Sequence, residues 1–356
     1  MIVQALAGLA QPLLANLPAE TAHRAAILGL KFAPRGKPAL ADPRLAVRTL
    51  GLDFPHPLGL AAGFDKNAEI APALLGLGFA FVEVGTLTPR PQAGNPLPRL
   101  FRLAEDRAIV NRMGFNNCGY EAARARLAAE RPGGRFGVNV GANKDTADRI
   151  ADYVLGVKTF APLADYLTIN VSSPNTVGLR DLQQRDSLDA LVARVVEARD
   201  QISPGRPVLV KIAPDLDLRG LDDVVAVAIN RRIDGLIVSN TTVARPPDLV
   251  SESRSETGGL SGRPLFSLST RMLARAYLRC EGALPLIGAG GIDSAATAIA
   301  KIEAGATLLQ TYTGFIYRGS RLIGEILAGL TDALPAGGGT IHALVGAKAR
   351  DFAVGA

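Results

Sequence analysis

Residues 167–180 read LTINVSSPNTVGLR, and the fold turns on how this stretch begins and ends. Leu167, Ile169 and Val171 alternate with Thr168 and Asn170, the pattern of a short strand with β-branched content. Ser172, Ser173, Pro174 and Asn175 follow, all of them turn formers. A barrel enzyme places such a polar cluster over its active site, where a buried strand ends. An ordinary strand-to-helix loop closed by Asx and Ser turns has the same composition. The other strand ends decide between the two.

Working outward, apolar runs with the character of buried strands recur at 58–62, 80–84, 136–140, 166–171, 208–212, 235–238, 285–288 and 306–310. Helical spacing fills most of the gaps, at 68–77, 120–130, 146–160, 187–201, 221–230, 267–278 and 294–304. Strands that alternate with helices make parallel βαβ units, and eight units predict an α/β fold of the closed (β/α)8 TIM-barrel kind. A doubly wound open sheet is the alternative architecture. A hairpin is expected at 47–57, and the Pro-rich insert 86–109 has room for another.

Composition narrows the function classes. The chain of 356 residues is 48% hydrophobic and 20% charged, as expected of a globular protein with a sizeable core. Its two cysteines, Cys118 and Cys280, fit neither a disulfide framework nor a CxxC metal pair. Three histidines, His23, His56 and His342, supply no HExxH helix or His-rich cluster, so no metal site is expected. A net charge of +6 without a basic run or interleaved aromatics argues against nucleic acid as a partner.

The first 40 residues stand apart as an N-terminal helical extension. Ile2, Val3, Leu6, Leu9, Leu13, Leu14 and Leu17 fall at helical spacing, and a second short helix is predicted over 19–32, before a Pro/Gly-rich bend at 34–38. Gln4, Gln11, Pro12 and Asn16 interrupt the first segment, which excludes a membrane span, and a signal peptide lacks its basic start. Six basic residues against Glu20 and Asp42 within 1–48 suit either a membrane interface or packing on the main domain. The organisation read from the chain is therefore an arm at 1–40, a barrel at 45–335 and a C-terminal tail or helix at 336–356.

The predicted strand ends carry the chemistry. Ala61-Ala62-Gly63-Phe64-Asp65-Lys66 ends the first strand, with small residues that let a ligand approach the backbone and a lysine beside them. Thr86 ends the second, Asn139 the third, Asn170 the fourth, Lys211 the fifth and Ser239-Asn240-Thr241 the sixth. One such asparagine is commonly a helix cap. Three on three strand ends suit a planar heterocycle with alternating N–H and C=O groups. Gly288-Ala289-Gly290-Gly291 follows the seventh strand and Tyr312-Thr313-Gly314 the eighth. Loops at those places commonly hold a phosphate, although many tight turns share the glycine pattern. Gly259-Leu260-Ser261-Gly262 and Asn111-Arg112-Met113-Gly114-Phe115-Asn116-Asn117 add further polar loops.

Assembled in order, AAGFDKN (61–67), NRMGFNN (111–117), NVSSPNTVGLR (170–180), GGLSGRPL (258–265) and GAGGIDS (288–294) closely resemble the quinone-using, membrane-associated class 2 dihydroorotate dehydrogenases. The resemblance runs from about Leu58 to Gly314 and implies an FMN-binding (β/α)8 barrel that oxidises dihydroorotate to orotate in pyrimidine synthesis. It implies FMN contacts at Ala62, Gly63, Phe64, Asp65, Lys66, Thr86, Asn139, Asn170, Lys211, Ser239, Gly262, Gly291, Tyr312 and Thr313. Substrate contacts are implied at Lys66, Asn111, Arg112, Met113, Gly114, Phe115, Asn170, Asn175, Asn240 and Thr241. Ser173 matches the catalytic base, with Phe115 and Thr176 as its proton relay. Pro12-Leu13-Leu14 and Ala22-His23-Arg24 resemble the class 2 arm, which implies a membrane quinone as acceptor, with His23, Arg102 and Tyr312 near its access route. A peripheral position on the cytoplasmic face of the cell (inner) membrane follows from the same resemblance. Val177 departs from the family's usual proline.

Overall fold

The predicted hairpin opens the barrel from below. In the computed structural model, which describes residues 16–32, 41–336 and 338–354, β1 (Val47–Thr49) pairs antiparallel with β2 (Leu52–Phe54). The eight apolar runs then become β3 (Leu58–Leu60), β4 (Phe81–Leu87), β7 (Arg135–Val140), β8 (Tyr166–Asn170), β9 (Val208–Ile212), β10 (Gly235–Val238), β12 (Leu286–Ala289) and β13 (Leu308–Thr311). Neighbours in this series are parallel, and β13 pairs back onto β3 in a closed barrel. The open-sheet alternative is excluded.

Helices follow the strands because each crossover must return the chain to the same end of the next strand. They are α2 (Ala71–Gly76), α3 (Gly119–Ala129), α4 (Arg149–Phe160), α5 (Arg185–Ile202), α6 (Leu218–Asn230), α7 (Phe266–Cys280), α8 (Ala295–Glu303), α9 (Thr313–Arg318) and α10 (Arg321–Asp332), with α1 (Ala19–Phe32) ahead of them. Local chemistry sets several starts. Asp148 and Asp217 accept from Ala151 N and Gly220 N to begin α4 and α6, and Ser294 with Thr297 forms a capping box on α8. After α10 the chain ends in α11 (Ala349–Val354), whose Ala353 carbonyl accepts from Arg275 Nε of α7 at 3.0 Å.

The barrel interior has two parts. At its floor, the rings of Phe54 and Phe81 meet edge to face at 5.3 Å, and Phe81 meets Tyr166 at 6.3 Å. Gly137 leaves room for that plug, since a Cβ there would lie 2.2 Å from the Tyr166 ring. Above the plug the inward residues turn polar. Glu83 of β4, 1% exposed, accepts from Asn139 Nδ2 (2.8 Å), Tyr166 OH (3.1 Å), Thr168 Oγ1 (3.0 Å) and Gln310 Nε2 (2.9 Å). Each buried polar group left without such a partner costs about 1–3 kcal/mol. This ring of bonds therefore fixes four strands at one level and gives the mouth a rigid base.

Insert 86–109 forms the expected hairpin, β5 (Leu100–Leu103) with β6 (Ala108–Asn111). A third strand was not read from the sequence. β11 (Gly259–Gly262) pairs with β6, because neighbouring backbone supplies partners that a glycine-rich run does not signal by itself. The small sheet stands beside the barrel mouth. Helix α1 lies against it: Glu20 pairs with Arg99 at 2.8 Å, and Arg102 Nη1 donates to the Leu17 carbonyl at 2.6 Å. The first predicted arm helix with Pro12-Leu13-Leu14, and the bend at 34–38, lie outside the described residues.

Candidate active site

Seven of the eight strands line one cleft at their carboxyl ends, and the eighth, β7, ends beneath it at Asn139. Its lining includes Ala62, Gly63 and Lys66 after β3, Thr86 in β4, Asn170 and Ser173 at the end of β8, and Lys211 in β9. Ser239, Asn240 and Thr241 after β10, Gly290 and Gly291 after β12, and Tyr312 and Thr313 after β13 complete the rim. The small sheet adds Asn111 and Gly262, and the loop beyond β6 adds Met113, Gly114 and Phe115. Asn175 closes over them from the β8 loop. The polar residues predicted at separate strand ends thus share one cavity, except Asn139, which lies below it.

Its base is a chain of amides and hydroxyls. Thr86 Oγ1 donates to Asn139 Oδ1 at 2.6 Å, and Asn170 Nδ2 donates to Thr86 Oγ1 at 3.0 Å. Asn240 Nδ2 donates to Ser172 Oγ (3.0 Å) and to Asn170 Oδ1 (3.3 Å). Since Asn139 Nδ2 is committed to Glu83, its oxygen has to face Thr86, and that order carries up to Asn170. Asn139 is fully buried beneath the cleft and sets the orientation of the residues above it.

Two cations and a lone acceptor face the cavity. Lys211 is 6% exposed and donates no hydrogen bond among the described residues; burial lowers its pKa, against the pull of Glu83. Gln310 gives its amide N–H to Glu83, which leaves Oε1 buried without a partner at the cleft. Lys66 Nζ donates to the Gly63 carbonyl at 2.5 Å, and burial brings its pKa down to about 8, opposed by the charges of Glu20 and Asp65. An unpaired ammonium and an unpaired carbonyl at one floor fit a ring that offers both acceptor and donor edges.

On the opposite wall, Gly290 and Gly291 adopt left-handed φ of 99° and 75°, conformations open to glycine. Thr313 opens α9 there, and its Oγ1 donates to Ser261 Oγ at 2.9 Å. Backbone N–H groups of this loop and of the α9 start form the kind of cradle that takes a phosphate.

The third wall is formed by the polar loops. Asn175 Nδ2 donates to Asn111 Oδ1 at 3.1 Å, and Asn95 Nδ2 ties both loops by donating to the carbonyls of Arg112 (3.0 Å) and Asn175 (3.1 Å). Arg149 holds the next turn through the Gly178 and Val177 carbonyls, both at 2.6 Å, while Val177 itself is 84% exposed. Ser173 is buried at the cleft, and its Oγ accepts from Asn175 N at 3.3 Å. Thr176 is buried nearby in sequence but is not part of the lining. Phe115 reaches the cleft from a φ of 54°, a strained backbone for a bulky residue and one typical of working sites.

Asp65, Arg112, Phe64 and His23 do not line the cleft. Asp65 accepts from the backbone N–H groups of Asn67, Glu69 and Ile70 and so shapes the turn that carries Lys66. Arg112 pairs with Glu256 at 2.7 Å and lies 4.5 Å from the Phe101 ring centroid. Phe64 is buried in an aromatic row, His23–Phe64 at 5.3 Å and Phe64–Tyr312 at 6.0 Å, which runs from α1 to the cleft. His23 has its pKa lowered to about 3, by burial first and by Lys66 second, so its imidazole is neutral. Tyr312 OH donates to the Gly63 carbonyl at 3.1 Å. Glu83, Gln310 and the Glu20–Arg99 pair were not singled out in the sequence. A lone glutamate inside the apolar run FVEV was the available signal for the first.

Fold and site together define a (β/α)8-barrel protein with an enzyme-type cleft at the carboxyl ends of its strands and a glycine loop after the seventh that lines it. The chain belongs to the dihydroorotate dehydrogenase family, whose profile matches residues 44–334. It is 57% identical over 354 residues to "Dihydroorotate dehydrogenase (quinone)" of Rhodopseudomonas palustris (strain BisB5), covering 98% of this chain and 97% of the relative. The same values hold for the protein of that name in Bradyrhizobium diazoefficiens. Among solved structures, DHODH from Eimeria tenella in complex with ferulenol is similar with a TM-score of 0.88 and 41% identity, over 93% of this chain and 96% of that one.

Proposed function

We propose that this chain is a quinone-dependent dihydroorotate dehydrogenase, an FMN flavoprotein that oxidises (S)-dihydroorotate to orotate in pyrimidine synthesis. The observation that carries the reading is a single cleft that joins Ser173, the amides of Asn111, Asn175 and Asn240, and Lys66 to a floor with Lys211 and the phosphate cradle. The residues present fit FMN. Gly290, Gly291, Gly262 and Thr313 would hold its phosphate, while Lys211 and Gln310 would meet the polar edge of its ring. When bound, FMN supplies a ring that accepts hydride and then yields electrons to an acceptor.

The protein's own residues do the rest. Lys66 would hold the substrate carboxylate, and the amides of Asn111, Asn170, Asn175 and Asn240 with Thr241 would hold the ring, since an amide can both donate and accept. Ser173 Oγ would take the C5 proton. Serine is a weak base at its ordinary pKa, so it requires a relay and a dry pocket. In this reading the Thr176 hydroxyl would pass the proton on, Phe115 would shield the route from solvent, and the 175–185 loop would exclude water. Lys211 would stabilise negative charge that develops on the ring edge above it.

Residues 1–40 are proposed as the quinone-access arm, 45–335 as the catalytic barrel and 336–356 as a supporting tail. The aromatic row from His23 to Tyr312 and the Arg102–Leu17 bond support the arm's place beside the cleft. Peripheral attachment at the cytoplasmic face is proposed for the arm; no helix among the described residues is long and apolar enough to cross a membrane. Anaerobic addition of dihydroorotate to the yellow protein tests the reading. Bleaching of the flavin, followed by reoxidation with a quinone in preference to fumarate or NAD, is the expected result; no bleaching would refute it.

A further inference from the structure

Behind the two-glycine loop after β12 lies a charged residue that the cleft chemistry leaves unused. Lys301, in α8, is wholly buried, at 0% exposure. Its Nζ donates to Ser269 Oγ at 2.7 Å and to the Ala289 carbonyl at 3.3 Å. It also lies 5.5 Å from the centroid of the Phe266 ring. No carboxylate pairs with it among the described residues. A buried cation with only neutral partners is costly, and an apolar side chain of similar length would fill the same space without that cost. Burial pushes the Lys301 pKa well below that of an ordinary lysine.

These partners connect Lys301 to the glycine loop that lines the cleft. Ser269, the acceptor of the Lys301 hydrogen bond, lies 3.1 Å from the Gly290 carbonyl. A Cβ added at Gly290 would lie 2.8 Å from Ser269 Oγ, and one at Gly291 would lie 2.5 Å from Phe266 Cα. The first turn of α7 and Lys301 therefore form the back of a loop whose front lines the cleft. Ala289, Gly290 and Gly291 all belong to that lining.

We infer that Lys301 is a positioning residue for the ligand's phosphate: through Ser269 and the Ala289–Gly290 backbone it fixes the cradle. The inference rests on the reading of this cleft as an FMN site. A merely structural lysine would tie α8 to β12 and would leave the preference for a phosphorylated ligand unchanged.

FMN and riboflavin differ in the phosphate, so their affinities separate the two roles. The full chain, stripped of flavin, is titrated with each by fluorescence quenching, as wild type, Lys301→Met and Ser269→Ala. Lys301→Met is expected to weaken FMN by about tenfold or more while riboflavin stays within about twofold, and Ser269→Ala to shift FMN in the same direction by about threefold. Equal weakening of both flavins, or unchanged FMN affinity, would overturn the inference. Should Lys301→Met fail to fold, an unchanged FMN-to-riboflavin ratio in Ser269→Ala overturns it as well. Wild type that binds neither flavin would refute the FMN site itself, and the role of Lys301 with it.

Discussion

The amide of Asn175 donates to the side-chain oxygen of Asn111 across 3.1 Å, joining the loop after β8 to the end of the central strand of the small sheet. The two come from elements 64 residues apart in sequence. Each leaves further polar capacity turned to the cleft, so the pair acts as a ready-made clamp for a ring with its own N–H and C=O groups.

Removing half of that clamp is expected to cost binding. Asn175→Ala should raise the KM for dihydroorotate by about 10- to 100-fold, the scale of a hydrogen bond to a charged or polar ligand of about 1.5–3 kcal/mol. The melting temperature should change little. Steady-state kinetics with thermal denaturation checks both, and an unchanged KM would remove Asn175 from the substrate site.

Lys66 gives the site a pH dependence with a definite sign. Burial holds its pKa at about 8, below the ordinary lysine value, so the amine is charged below that pH and neutral above it. A substrate carboxylate prefers the charged form, so affinity should fall as pH rises through about 8. Lys66→Met should bind weakly at every pH and lose that inflection. A wild-type KM that stays flat from pH 7 to about 9.5 would exclude the carboxylate contact.

Glu83 is predicted to hold the barrel's polar layer together. Glu83→Leu would strand groups on Asn139, Tyr166, Thr168 and Gln310. A loss of at least about 3 kcal/mol is expected, with an unchanged urea m value. A loss below about 1 kcal/mol would show that these groups find other partners.

The Glu20–Arg99 pair fastens α1 beside the cleft, with Arg99 only 7% exposed. Glu20→Ala should leave reduction of the flavin by dihydroorotate at the wild-type rate and slow its reoxidation by a quinone several-fold. Rapid-mixing measurements separate the two half-reactions. Equal quinone kinetics in both proteins would mean that the arm has no part in access.

Periodicity was enough for the barrel itself, because a buried parallel strand such as Val208–Ile212 announces itself by an unbroken apolar run. Residues that line the cleft at strand ends were equally visible, since Ser173, Asn175 and Asn240 interrupt that pattern where it stops. Long-range pairings were hidden. Nothing in GLSG signals a third strand beside β6, and nothing in Asn139 reveals that its amide serves Glu83 below instead of a ligand above. Asp65 and Arg112 lie within the matched motifs, yet their side chains shape a turn and pair with Glu256. Position in a motif and direction of a side chain are separate facts.

The central claim is that Ser173 takes a proton from dihydroorotate while the neighbouring flavin is reduced. Its most direct test is anaerobic single-turnover reduction of the flavin, followed by stopped-flow absorbance in wild type and Ser173→Ala. Full flavin content is expected in both proteins, with a reduction rate lower by about 100-fold or more in the variant, the usual scale for loss of a general base. Reduction of the variant at the wild-type rate would contradict it.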